Sequence, residues 1–165
     1  MKIIAIDPGY ERLGIAILER GIGKEILLFS ECFKTLVTEK HEERLRLIGG
    51  EIEKVIKEYK PESMAIETLF FKTNAKTAMK VSEARGVMLY EAAINNLKLA
   101  EFTPLQIKVA VTGYGKSDKD QVTEMVKKLI KINQPIKYDD EYDAIAVGLT
   151  FFAYHRNIQN PSNTI

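Results

Sequence analysis

Only one cysteine, two histidines and no tryptophan occur among the 165 residues. A single thiol, Cys32, admits neither an intrachain disulfide nor a cysteine-based metal cluster, and it points to a reducing compartment. Long apolar runs are lacking too. The longest, Ala144 to Tyr154, falls well short of the roughly 20 residues that span a bilayer. The apolar start is broken at Asp7-Pro8-Gly9 before a signal segment could form, so a cytoplasmic location is expected. P-loop, GxSxG and HExxH patterns are absent, which removes the common nucleotide-hydrolysing, serine-hydrolase and zinc-protease readings. His41 and His155 stand alone in polar surroundings and are not read as catalytic.

Nor does charge of one sign dominate: 24 basic against 23 acidic residues leave a net charge of +1. The balance is uneven, however. Between Lys72 and Lys137 there are 12 Lys and Arg against 6 Asp and Glu. Such a segment suits nucleic acid, but it equally suits an ordinary solvated helix surface, so charge alone does not choose.

What is present reads as one α/β domain over residues 1–155, followed by a polar, frayed tail at 156–165. The run Lys2 to Asp7 is rich in β-branched residues and stops at Pro8-Gly9, as a buried strand does. Leu13 to Leu18 and Glu25 to Phe33, parted by the turn at Gly21-Ile22-Gly23, complete an antiparallel meander. Helical spacing from about Glu42 to Tyr59 ends before Pro61. A fourth strand (Ser63 to Leu69), a long helix (about Asn74 to Leu97) and a fifth strand (Lys98 to Thr103, before Pro104) follow. Two further helices are predicted, at about Asp118 to Ile132 and Asp140 to Tyr154. The pattern is a five-stranded mixed sheet flanked by helices.

The acids carry the chemistry. Strand alternation puts Ile3, Ala5 and Asp7 on one face, and Glu67 follows Ala65 in the same way. Each acid thus ends a buried strand at the same edge of the sheet, where α/β proteins open clefts. In the last helix Asp140, Asp143, Ala144, Val147 and Phe151 share a stripe, so two carboxylates extend the core-facing side. Taken singly, Asp7 could open a turn and Asp139 or Asp140 could cap a helix. Four carboxylates directed to one locus would repel each other and raise their pKa values unless cations neutralised them. Oxygen-only ligands suit Mg²⁺ or Mn²⁺, and a pair of such ions suits phosphodiester hydrolysis.

These motifs, taken together, resemble the RuvC family of Holliday junction resolvases. The matching residues are Ile6-Asp7-Pro8-Gly9 with Gly14, Ala65-Ile66-Glu67 leading through Phe70 to Asn74-Ala75, and Glu83-Ala84-Arg85-Gly86-Val87. Pro104 through Lys108 to Gly113, then Lys119, then Asp140-Glu141-Tyr142-Asp143-Ala144 complete the set. They run colinearly from residue 2 to about 155. The resemblance implies an RNase H-like fold and a homodimer that binds four-way DNA and nicks two opposed strands. Its four metal-binding and catalytic acids fall on Asp7, Glu67, Asp140 and Asp143, with two Mg²⁺ ions per site and Mn²⁺ as a substitute. It also implies that Phe70 stacks on an unpaired base, with Phe71 beside it, and that Lys108 and Lys119 contact the scissile strand. The RuvA-RuvB branch-migration complex is the partner it suggests. Lys72, Lys76 and Lys80, spaced along a helix face, suit tracking of the DNA backbone. Leu13 departs from the family, which usually has threonine there. Three rivals are another RNase H-like nuclease acting on different branched DNA or on RNA, a junction binder without activity, and a sugar-kinase-like nucleotide binder. The intact acids count against the second and the single domain against the third.

Overall fold

The computed structural model describes residues 1–69, 75–133 and 135–159, without the side chains of 75–77 and 156–159. Strands β1 (Lys2–Asp7), β2 (Arg12–Arg20) and β3 (Glu25–Lys34) form the expected meander. Helix α1 (His41–Tyr59), strand β4 (Ser63–Glu67), helix α2 (Ala75–Ile94) and strand β5 (Lys98–Phe102) follow. Helices α3 (Pro104–Thr112), α4 (Lys119–Leu129) and α5 (Asp139–Gln159) complete the described chain. The sheet order is β3-β2-β1-β4-β5. β1 runs antiparallel to β2 and parallel to β4, and β4 runs parallel to β5.

Central placement explains why β1 is almost wholly apolar: both of its faces are covered. Ile4 and Ile6 pack with Ile15, Ile17, Met64 and Ile66 under α1 and α2. Ile3 and Ala5 pack with Ala16, Leu18 and Ala65 under α3, α4 and α5. The parallel register pairs Ala5 with Ala65 and Ile6 with Ile66. Asp7 and Glu67 therefore sit one step further along neighbouring strands, on the face shared with α5.

Helix α5 lies unusually close to the sheet because small residues line the contact. A Cβ on Gly148 would come within 2.5 Å of the Leu18 side chain and 3.2 Å of Ala5 Cβ. At the helix start, a Cβ on Gly14 would fall 2.1 Å from the Asp140 carbonyl oxygen and 3.1 Å from Asp7 Cβ. Gly14 stands opposite Asp7 in the β1–β2 ladder, so the same gap that admits the backbone of α5 lies beside the first acid.

Helix α3 is an addition to the elements expected from sequence, which assigned nothing between the strand before Pro104 and the helix from about Asp118. Its local signals are complete. Thr103 caps the first turn, Gln106 returns the bond to the Thr103 amide, Pro104 fills the first position and Gly113 closes the helix at φ 76°. With only Ile107 and Val111 buried, its apolar periodicity is too thin to read. Other boundaries shift by a few residues: β2 extends to Arg12–Arg20, β4 stops at Glu67, α2 at Ile94 and β5 at Phe102, α4 ends at Leu129 with Ile130 as its cap, and α5 continues past Tyr154 to Gln159.

Gly14→Val should push the first turn of α5 off the sheet, at a cost of about 1–3 kcal/mol or more from overpacking against backbone. Gly50→Ala, on the exposed face of α1 with open space around its Cβ, should instead stabilise by roughly 0.5–1 kcal/mol. Urea unfolding of both variants checks the opposite signs, and equal effects would show that the Gly14 contact is not tight.

Candidate active site

The carboxyl ends of β1 and β4 and the first turn of α5 meet at one end of the sheet. Asp7 arrives from the central strand, Glu67 from its parallel neighbour, and Asp140 and Asp143 from the helix. The electrostatics show how closely the four share this space. Burial raises the Asp7 carboxyl well above the usual carboxylate range, and Asp143, Glu67 and Asp140 add to the rise against the opposing field of Lys119. Glu67 is pushed up to about 7, first by burial and then by Asp143, against Lys119 and Lys108. Asp143 is also raised by burial, although its hydrogen bond from Lys119 pulls it down. The repulsion expected from the sequence is therefore present in the folded protein.

Two cations partly relieve it. Lys119 Nζ lies 2.8 Å from Asp143 Oδ2 and 2.6 Å from Asp139 Oδ2. Arg12, from the start of β2, bridges Asp139 Oδ1 and Asp140 Oδ2, each at 3.1 Å. Asp139 thus accepts from both cations and ties together the two helix acids expected to bind metal. The hydrogen bond from Lys119 holds the Asp139 carboxyl down at about 2. Burial alone would lower the Lys119 ammonium, but its bonds to Asp139 and Asp143 hold it above the ordinary lysine range. On the far side of Asp140, Cys32 Sγ donates to Oδ2 at 3.6 Å, and burial, then Asp140, pushes that thiol up to about 11. Ser30 donates to the buried Glu141 at 2.8 Å, pinning the same turn of α5 to β3.

With Asp140 and Asp143 turned toward these cations, no group of three acid, histidine or cysteine side chains among the described residues converges into a finished ligand set. The donor chemistry nevertheless fits a hard divalent cation. The oxygens are carboxylate only, and three of the four acids hold raised pKa values that positive charge would relieve.

Lys108 and Lys119 join Glu67, Asp143, Pro104, Ile107, Val122 and Ala146 around a pocket of about 230 Å³, so both sequence-chosen lysines stand beside the acids. Lys80 lies 5.5 Å from the Tyr10 ring, next to the Asp7-Pro8-Gly9 turn. Phe70, Phe71 and Lys72 lie outside the described residues, as does the side chain of Lys76. Both histidines are held elsewhere. His41 bonds Tyr10 Oη at 2.7 Å and Glu83 at 2.9 Å, while His155 stacks on Phe151 with ring centroids 3.9 Å apart.

Sequence reading misses several supports. Arg44, buried in α1, donates to Thr35 Oγ1 at 2.8 Å and to the Tyr10 carbonyl at 3.4 Å, with its guanidinium 3.8 Å over the Tyr10 ring. It clamps the turn that follows Asp7. Arg85 donates to the Glu67 carbonyl at 3.4 Å and pairs with Glu101, fixing the end of β4. Arg12 carries no local signal at all, because its partners lie well over a hundred residues further along the chain.

A five-stranded mixed sheet in this order, with helices on both faces and acids at the carboxyl ends of its central strands, defines an RNase H-like protein. Residues 3–151 match the family model described as crossover junction endodeoxyribonuclease RuvC. The chain belongs to that family. It is 46% identical over 152 residues to the crossover junction endodeoxyribonuclease RuvC of Thermosipho melanesiensis, covering 90% of this chain and 94% of the relative. It is 44% identical to that of Finegoldia magna over 149 residues, covering 90% and 91%. The structure of T. thermophilus RuvC in complex with Holliday junction substrate superposes with a TM-score of 0.88 at 30% identity, covering 94% of this chain and 95% of that one.

The raised acids make metal-stripped protein sensitive to pH in a defined sense. An acid whose folded pKa is raised holds its proton more tightly in the folded state. The stability contributed by Glu67 is therefore full below about 4.5 and is lost as pH rises through about 7. In EDTA, the melting temperature of the wild type relative to Glu67→Gln should fall across that window. Adding Mg²⁺ at pH 8 should recover it for the wild type. Parallel melting curves for the two proteins would remove Glu67 from the coupled cluster.

Proposed function

We propose that this chain is a structure-specific endodeoxyribonuclease that resolves four-way DNA junctions in recombination and repair by metal-dependent hydrolysis on two opposed strands. The observation that carries it is the meeting of Asp7 and Glu67, from parallel neighbouring strands, with Asp140 and Asp143 from α5, in a site where burial and mutual repulsion raise the pKa values of Asp7, Glu67 and Asp143. The relatives that bear the crossover-junction name support the choice of DNA substrate over RNA.

Asp7, Glu67, Asp140 and Asp143 would hold Mg²⁺, two ions being expected from the number of carboxylates, with Mn²⁺ as a substitute. Such ions supply charge neutralisation at the attacking and leaving oxygens of the phosphodiester. The protein's own part is to bring the strand to them. Lys108 and Lys119 bind the scissile strand beside the acids, and Lys72, Lys76 and Lys80 of the following segment track the backbone. Phe70, supported by Phe71, stacks on a base unpaired at the crossover. The single cysteine suits the cytosol, and no helix among the described residues is long and apolar enough to cross a membrane. A branch-migration complex of the RuvA-RuvB type is the partner in this reading.

Two opposed cuts need two active sites related by a two-fold axis, so the working unit is a homodimer. Helix α2 offers a face for it. Met79, Tyr90 and Ile94 are exposed along one stripe with Gly86, whose Cβ position is open. Sedimentation at micromolar concentration should show a dimer that Gly86→Arg splits, and a fully active monomer would contradict the arrangement.

Asp7→Asn, Glu67→Gln, Asp140→Asn and Asp143→Asn should each abolish junction cleavage while keeping junction binding, since each removes an ion ligand and little DNA-binding surface. Phe70→Ala should cut an intact junction slowly, losing about 1–3 kcal/mol of stacking, and recover on a junction already unpaired at the crossover. The acid variants should not recover there. Single-turnover cleavage of both substrates decides. An acid variant that cuts normally leaves the site, and equal impairment of Phe70→Ala on both substrates ends its role as a wedge.

A further inference from the structure

Lys108 and Lys119 lie on the α3 and α4 side of the acids, which leaves the side built from β2 and β3 to be accounted for. The register of the β2–β3 ladder places Arg12 directly across from Lys34 at the end of both strands nearest the acids. The segment entering α5 adds Lys137 and Tyr138 immediately before Asp139. Lys34 Nζ lies 3.4 Å from the centroid of the Tyr138 ring, and Lys137 Nζ lies 5.3 Å from it. Three chain segments far apart in sequence thus bring three cations and one aromatic ring to the same flank.

Their pairing state separates them from ordinary surface ion pairs. Arg12 is committed to Asp139 and Asp140. Lys34 and Lys137 are exposed, and among the described residues neither pairs with a carboxylate. Both lie against the partly buried Tyr138 instead, a cation–π contact that leaves their charge unneutralised. Positive charge left unneutralised at the rim of an acidic cleft is suited to meet the phosphates of a nucleic acid.

We propose that Lys34 and Lys137, arranged by Tyr138 and continued inward by Arg12, form a second DNA-backbone contact on the β2–β3 flank. The acid cluster then lies in a trough between two cationic walls, with Lys108 and Lys119 forming the other. A sugar-phosphate strand is the ligand the trough fits: its phosphates meet lysines on both sides, while its scissile group faces the carboxylates. This rests on the nuclease reading above and adds to it the path of the strand beyond the cut.

The test is the salt dependence of four-way junction binding by the full chain, measured by fluorescence anisotropy with Ca²⁺ in place of Mg²⁺. Every phosphate that a variant no longer neutralises takes about 0.9 off the slope of log affinity against log salt. Lys34→Gln/Lys137→Gln should therefore lower the slope by about 1.8 and weaken binding more than about tenfold at roughly 0.1 M salt. Lys34→Arg/Lys137→Arg, which keeps the charges, should restore both. Lys108→Gln in the same series should lower the slope by about 0.9 independently, reporting the opposite wall. An unchanged slope in the Gln double variant overturns the proposal, and so does a lowered melting temperature with binding intact, which would make the lysines mere props for Tyr138. A wild type that shows no salt-dependent junction binding sinks the nuclease reading and the second wall together, whereas a normal Lys108→Gln effect beside a silent double variant sinks the second wall alone.

Discussion

The approach of α5 to the sheet is the constraint on which the site depends. Two of its four acids ride on a helix and two on strands, so their separation is set by how closely helix and sheet pack. That distance is fixed by what is missing from the side chains: no Cβ at Gly14 or Gly148, and only a methyl at Ala5, Ala16, Ala65 and Ala144. Packing of this kind tolerates little adjustment, because the nearest atoms at Gly14 are backbone and cannot rotate away. The glycine in the Asp-Pro-Gly turn is the conspicuous one in sequence, but Gly14 is the one that admits the backbone of the helix.

Drawing four carboxylates together has an electrostatic cost that the rest of the neighbourhood is arranged to meet. Arg12 and Lys119 reach in from opposite sides, and Asp139, one residue before the first helix acid, accepts from both. An exposed acid placed there anchors the two cations without competing for a buried position. It shares each cation with one helix acid, Arg12 with Asp140 and Lys119 with Asp143. Arg44 does comparable work deeper in the fold. Its charge is met by carbonyl and hydroxyl oxygens and an aromatic face, which adds no further negative charge next to Asp7.

Much of this is legible in the sequence, for reasons tied to periodicity. The strand alternation of Ile3, Ala5 and Asp7, its echo at Ala65 and Glu67, and the helical stripe from Asp140 to Phe151 each need only local geometry to place an acid on a face. The meander and the mixed sheet follow from turn residues and from strand and helix lengths. Contacts between distant segments are where such reading stops. Nothing near Arg12 announces Asp139, and nothing near Lys34 announces Tyr138. The missed α3 is a different case. Thr103, Pro104 and Gln106 spell out its start, but with two buried residues it offers too little apolar pattern for its length. Phe70 rests on the family resemblance, Phe71 on its place beside it and Lys72 on helical spacing, and all three lie outside the described residues.

The topology also bears on when the centre comes into being. The meander can close early, since its strands are joined by short turns. The β1–β4 pairing must wait for a chain loop of some sixty residues to close, and the docking of α5 on β2 for a far longer one. The four acids are therefore strangers to one another until the last long-range contacts form. A half-folded copy carries every one of these side chains without the packing that brings them together, so the carboxylate cluster is a property of the completed fold and of no single segment.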